Sequence, residues 1–336
     1  MKKNIFTNLI IAIFILTTFQ YIHARESSPL RDFWYSFDGS AVGARAIGMG
    51  GAFSAIASSP EAVYWNPAGL YYIQNRLAYF EYNEYVFEKN EHKDIAFQND
   101  PLKGKNFTFF AFCNEKGAVS YRPLSDYSAT DENGNRAKLK LGQYSLSTAG
   151  ITEDDSIFGV NVNYFHGFLG YVSKTSTGND LDISSANGWG LDWGFLFPSS
   201  SNNLVLGLML QNAPAFLYWE NFKKDVLPFI LRAGLAINSS NKHIFAFDYE
   251  RRYYRDRGNL IIYHTGYEEV INNVIVRIGA YGEDLSKSNE TTYTTGITYL
   301  INKFKVDLSV ERQNILDNQN ENQPIHRIKN SISIII

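Results

Sequence analysis

Charged side chains in this sequence sit at every second position of stretches that are otherwise apolar. Arg232 lies between Leu231 and Ala233, and Asp248 and Glu250 alternate with Phe247 and Tyr249. Asp307 and Glu311 alternate with Val306, Leu308 and Val310, and Asp192 follows Leu191. Charges on one face of an extended chain can pair with one another and line a polar lumen. Upstream, Arg45 is the only charge between Asp38 and Glu61. A guanidinium in so apolar a segment is costly to bury unless paired. Its expected partners are Asp192, Asp248, Glu250, Asp307, Glu311 or backbone carbonyls, with Arg232 competing for Asp248 across the turn at 239–241.

Other chemistries fit these residues poorly. Met49-Gly50 follows Gly48 where a phosphate-binding loop needs Lys-Ser/Thr. Phe53 stands where a dinucleotide fingerprint needs its third glycine. Asp131-Glu-Asn-Gly-Asn135 opens like a calcium loop, but Arg136 and Gly142 occupy the positions of the required Gly and Glu. His92, His166, His243, His264 and His326 are scattered without metal-ligand spacing, and Cys113 is the only cysteine. No Ser/His/Asp set is visible, so neither an enzyme nor a cofactor or metal is expected. The run Arg251–Arg257 reads as a hairpin tip in an aromatic interface belt. A net charge of -3 supplies no electrostatic reason to bind nucleic acid.

The elements that must carry these residues begin after an export signal. Lys2 and Lys3 precede an apolar core from Ile5 to Phe19, and Ile22-His23-Ala24 is an acceptable cleavage site. Residues 1–24 therefore read as a signal peptide. That core is too short to span a membrane as a helix, and no long apolar run follows. Yet 15% of residues are aromatic. An exported, aromatic-rich chain of mixed polarity fits a transmembrane β-barrel, in which half the strand residues face lipid and half the lumen. A large soluble β-sandwich has a similar average, so composition alone does not separate the two.

The alternation is clearest in 204–211, where Leu204, Leu206, Leu208 and Leu210 share a face, and in 229–237, 244–251 and 304–311. A period of two marks strands. Strands are predicted near 76–88, 105–113, 116–123, 137–150, 155–169, 187–198, 203–212, 227–238, 242–252, 258–267, 274–284, 292–302, 304–313 and 326–336. That is about fourteen, an even number, as in bacterial outer-membrane barrels. Long polar segments at 89–104, 124–136, 170–186, 213–226 and 314–325 alternate with tight turns, matching surface loops and periplasmic turns. Leu139 and Leu141 have the opposite parity to Tyr144 and Leu146, which a bulge at Gly142-Gln143 would reconcile. The third strand either ends at Pro123 or is kinked there, since proline cannot donate to the ladder.

Residues 43–70 are small, Gly/Ala-rich and apolar, running from Gly43 through Gly48, Gly50 and Gly51 to Asn66-Pro67-Ala68-Gly69. Ser58-x-x-Glu61 reads as a capping box, and Asn66 as the cap of a second short turn begun by Pro67. This stretch resembles the N-terminal plug of the FadL-type outer-membrane transport superfamily, with wording similar to its PorV/PorQ-like branch. The resemblance implies an all-β, antiparallel barrel of about fourteen strands, 76–336, with 25–75 as a small plug in the lumen. It implies passive uptake of hydrophobic molecules such as long-chain fatty acids, with Phe53, Tyr64 and Trp65 touching the ligand and Pro123 marking a lateral gate. The PorV-like alternative is a secretion or surface-assembly component that binds exported protein. Outer-membrane lipids and a hydrophobic or protein cargo are the expected partners, and the barrel is expected to be a monomer.

Overall fold

The structure, a computed structural model, describes residues 41–86, 102, 106–130, 135–175, 178–199, 203–221, 224–239, 242–254, 258–288, 290–316 and 322–336. The expected signal peptide, Asp131–Gly134 and Arg255–Arg257 lie outside the described residues.

Strands β1 (Leu77–Val86), β2 (Phe107–Asn114), β3 (Gly117–Thr130), β4 (Arg136–Ile151), β5 (Ile157–Thr175) and β6 (Gly178–Pro198) follow one another as antiparallel neighbours. Strand β7 has two segments, Leu204–Gln211 and Ala215–Trp219, both paired with β6. Strand β8 likewise comprises Asp225–Val226 and Phe229–Ser239, each paired with the matching part of β7. Then come β9 (His243–Tyr253), β10 (Leu260–Ile271), β11 (Val274–Gly282), β12 (Thr291–Ile301), β13 (Phe304–Leu316) and β14 (Asn322–Ile335). The ring closes where β1 meets β14, from Leu77 opposite Ile335 to Val86 opposite His326. With the two interrupted strands counted once each, this is a closed barrel of fourteen antiparallel strands.

The strands outrun their expected ends. Segments 124–136 and 170–186, expected as loops, are largely strand, since β3 continues to Thr130, β5 to Thr175 and β6 begins at Gly178. Where both faces of a strand are wet, the alternation that flags it fades, while backbone pairing continues. The expected bulge at Gly142-Gln143 is absent: β4 pairs with β5 without a break from Arg136 to Ile151. Leu139 and Leu141 instead point into the barrel and are buried, while Tyr144 and Leu146 point out and are exposed. The bulge lies in β3, where the register shifts between Pro123 and Ser125 and Leu124 is the extra residue. Pro123 thus sits within a continuous strand.

The outward face is apolar. Leu146 and Ile278 are each 63% exposed, and Val162, Leu206, Phe245, Leu308 and Ile332 are also exposed. Around β1 to β5 an aromatic row, Phe80, Phe107, Tyr121, Tyr144, Tyr164 and His166, has successive ring centroids 4.9–6.3 Å apart. A closed barrel with an apolar exterior and an aromatic girdle satisfies every backbone group internally and offers lipid a matching surface, which is how strands span a bilayer.

Residues 41–73 lie inside the ring. They form two short helices, α1 (Ala44–Gly48) and α2 (Ala62–Trp65), then a 3-10 turn, Pro67–Tyr72. Gly50 and Gly51 both have positive φ, at 64° and 76°, which lets the chain reverse directly after α1. Asn66 caps the 3-10 turn, its Oδ1 accepting from Ala68 N at 3.1 Å. The expected capping box does not form. Ser58 Oγ accepts from Arg45 instead, and Glu61 makes no side-chain cap bond.

Candidate functional site

The barrel interior has tiers that follow from strand register. At the end where short turns follow β2, β4, β6, β8, β10 and β12, inward glycines of the wall receive the backbone of the inner segment. Gly207 and Gly234 stand opposite each other against Ser54, and Gly266 and Gly279 stand opposite each other against Met49 and Gly50. Gly159 and Gly194 form a third pair against Asn66, Pro67 and Ala68. A Cβ built on Gly207 would lie 2.5 Å from the Ser54 carbonyl oxygen, so main chain fits here only because the wall lacks side chains. Phe53, Trp65, Met49 and Ile56 fill this tier together with Tyr79, Phe109, Leu196 and Val205.

Polar wall groups hold the segment by its backbone. Asp248 Oδ2 accepts from Phe53 N at 3.1 Å and Ser54 N at 2.8 Å. Asn161 Nδ2 donates to Val63 O at 2.7 Å, and Asn66 Nδ2 donates to Ser54 O at 2.7 Å and Phe195 O at 3.0 Å. Arg45 is buried and forks onto Glu268, with Nε 2.9 Å from Oε2 and Nη2 3.0 Å from Oε1. Its Nη1 reaches Ser58 Oγ at 3.0 Å, and its guanidinium lies 5.2 Å from the Phe53 ring centroid. Burial alone would lower the Arg45 pKa, but the Glu268 carboxylate outweighs it and holds the group above its ordinary value. Glu268 is shared with Arg277, whose Nε lies 2.6 Å away and whose Nη1 reaches Thr298 Oγ1 at 2.6 Å.

The expected pairings therefore need correction. Arg45 meets none of Asp192, Asp248, Glu250, Asp307 or Glu311; its partner is Glu268, which β10 carries inward by running past the expected end at 267. Arg232 pairs with Glu250, directly opposite it on β9, and with Gln211, and leaves Asp248 to the inner segment. Asp307 takes Arg277 and Lys305, and Glu311 takes Arg327 and Tyr281.

The middle tier is a hydrogen-bonded belt. Arg122 Nη2 donates to Gln143 Oε1 at 3.0 Å, Gln143 Nε2 to Ser145 Oγ at 3.1 Å, and Ser145 Oγ to Asn163 Oδ1 at 2.6 Å. Asn163 Nδ2 then reaches Asp192 Oδ2 at 2.8 Å, and Asp192 Oδ1 accepts from Asn212 N at 2.7 Å. Two guanidiniums approach the Tyr64 ring, with Arg122 4.7 Å and Arg232 4.9 Å from its centroid. Arg232 has a carboxylate in direct contact, whereas Arg122 bonds the neutral Gln143, lies against Tyr64 and meets the Asp192 charge only through space.

One step farther from the short turns, the same strands turn apolar. Leu124, Leu139, Leu141, Phe165, Ala186, Ala215, Leu217, Trp219, Leu227 and Tyr254 form one buried cluster, bordered by Leu169 and Leu260. It is mainly aliphatic. Two wall irregularities flank it: the β3 bulge at Leu124, and the break where β7 passes through Asn212–Pro214 beside Leu227-Pro228 of β8. Phe53 and Trp65 are packed in the lowest tier, away from this cluster, and Tyr64 lies at the belt.

Arg122, Glu268, Arg277, Glu81 and Lys329 are the functional candidates that sequence reasoning missed. Parity marks Glu81 and Arg277, which stand in Tyr79-Phe-Glu-Tyr82 and Val276-Arg-Ile278. Nothing local marks Arg122, since the bulge beside it obscures the alternation.

No protein-family model and no curated protein matches this sequence. Solved structures do match its fold. It is similar to a monoaromatic hydrocarbon channel, CymD (TM-score 0.63, 14% identity, 89% of this chain and 99% of that one). It is similar to the Ralstonia pickettii toluene transporter TbuX (TM-score 0.59, 13% identity, 88% and 98%). A Pseudomonas aeruginosa FadL homologue also aligns (TM-score 0.56, 11% identity, 88% and 98%). The likeness is one of fold: a transmembrane β-barrel that aligns over 88–89% of this chain and 98–99% of each of theirs.

Proposed function

We propose that this chain is a passive outer-membrane channel for hydrophobic molecules, with long-chain fatty acids as its cargo. The observation that carries this reading is the aliphatic cluster in the barrel interior with Arg122 directly beneath it. Leucine side chains recognise an alkyl chain by area alone, at about 25 cal/mol per Å² removed from water. A partly buried guanidinium that hydrogen-bonds a neutral amide and feels Asp192 only through space has capacity left for a carboxylate, and the planar fork suits one. In this reading cargo enters at the end away from the short turns and lodges among Leu139, Leu141 and Phe165. It sets its head group near Arg122 and Tyr64. Residues 41–73 act as a plug that blocks a straight path onward, and the bulge at Pro123 and Leu124 serves as the lateral gate. The fold shared with hydrocarbon and toluene channels supports the general class.

Binding of oleate and of oleyl alcohol to the purified barrel tests the reading, together with mass spectrometry of whatever co-purifies. Both ligands should bind, and Arg122→Gln should weaken oleate about tenfold or more while leaving the alcohol unchanged, since a charged hydrogen bond contributes about 1.5–3 kcal/mol. Equal loss for both ligands would remove Arg122 from the head-group site. Failure of either ligand to bind, with an exported protein co-purifying, would instead favour the secretion component.

A further inference from the structure

The ladder between β1 and β14 joins the first and last strands of the barrel, so it is the pairing with the greatest chain separation. On its inner face Glu81 and Lys329 form an ion pair, Nζ to Oε1 2.9 Å, with both side chains fully buried. Neither strand satisfies that pair alone. The Glu81 carboxylate also accepts from Thr108 Oγ1 of β2 at 2.6 Å and Tyr79 OH at 3.1 Å. Its Oε2 further accepts from Gly43 N, and Lys329 donates to Ala41 O. Two backbone groups of the inner segment thus complete the ion pair that bridges the closing seam.

Gly43 is suited to this place in two ways. Its φ of 97° is one that side-chain-bearing residues rarely adopt. A Cβ there would also meet Glu61, lying 3.0 Å from that residue's own Cβ. The neighbouring turn is fixed as well, since Arg45 is locked to Glu268 across the lumen. A buried pair stripped of its outer hydrogen bonds carries a desolvation cost that its mutual attraction does not repay. Without residues 41–43, the seam would therefore have to close around an under-bonded ammonium and carboxylate.

We infer that Ala41–Gly43 with Glu81 and Lys329 form a closure clasp, so that docking of the inner segment and sealing of the barrel's last seam are one coupled step. This holds whether or not the barrel carries cargo. It also predicts that apolar replacement of both wall charges frees the seam from its dependence on the segment.

The test uses the full chain in detergent micelles, with amide hydrogen exchange read at the β1–β14 ladder and, as an internal control, at the β10–β11 ladder. Gly43→Val should speed exchange at β1–β14 at least tenfold and leave β10–β11 within twofold. In a Glu81→Leu/Lys329→Met background, Gly43→Val should have no further effect on the seam. If Gly43→Val alone yields no folded barrel, as judged by mobility of the unheated protein on a gel, the added Glu81→Leu/Lys329→Met pair should restore the folded band. Unchanged seam exchange in Gly43→Val, equal loosening of both ladders, or failure of the double replacement to suppress the defect would each overturn the clasp.

Discussion

Replacing Arg45 by alanine tests how the inner segment is held. The side chain makes two charge-assisted hydrogen bonds to Glu268, at 2.9 and 3.0 Å, and one to Ser58 at 3.0 Å. Hydrogen bonds to charged groups contribute about 1.5–3 kcal/mol each, so the sum of two gives an upper bound near 6 kcal/mol. Glu268 keeps Arg277 after the substitution, so its charge is not stranded. The expected loss is therefore about 3 kcal/mol, the low end of the range for breaking a buried pair from one side, since that range includes the cost of a charge left unpaired. Arg45→Lys retains the charge but not the fork, and should lose about 1–3 kcal/mol. Urea unfolding in micelles gives the free energies, and planar-bilayer recordings should show added current noise as the segment loosens. Because the pair is buried, raising the salt concentration should leave the difference between variants largely intact. An Arg45→Ala barrel within about 1 kcal/mol of the wild type, the range of an exposed pair, would refute the anchoring argument.

Leu206→Arg places a charge on the lipid face and should cost about 2–4 kcal/mol in vesicle refolding if the site lies near the bilayer midplane, whereas Leu181→Arg, far along β6, should cost about 0–1 kcal/mol. Equal costs would undo the assignment of the membrane band. Gly207→Val pushes a side chain into the Ser54 main chain, which a Cβ alone would approach to 2.5 Å. It should cost about 1–3 kcal/mol by overpacking, while Gly258→Ala, with nothing within 4 Å, should leave unfolding unchanged. Cys113 is fully buried in β2. It should resist a soluble maleimide in the folded barrel and react on unfolding, and rapid labelling of the native protein would show that the lower core is open to water.

Local sequence determined where the apolar part of each strand lies and which face of it points outward, but not how far the strands run on through 124–136 and 170–186. The period of two is enforced by the pleat itself, so Leu206, Phe245 and Leu308 could be assigned outward without knowing their neighbours. The turn chemistry of Asn66-Pro67 was likewise legible, because an Asn side chain caps the residues next to it. Pairing partners were not legible. Parity says that Arg45's partner faces inward, but which carboxylate it meets depends on where the inner segment lies relative to strands more than two hundred residues away. Glu268 was hidden further by sitting just past an apparent strand end. The aliphatic cluster was hidden for a related reason. Leu139 and Leu141 broke the expected alternation and suggested a bulge, when the lumen itself becomes apolar at that height. Sequence sets the side of the wall on which a residue lies; only closure of the ring decides what stands across the lumen from it, because that distance is set by strand number and register rather than by any local preference.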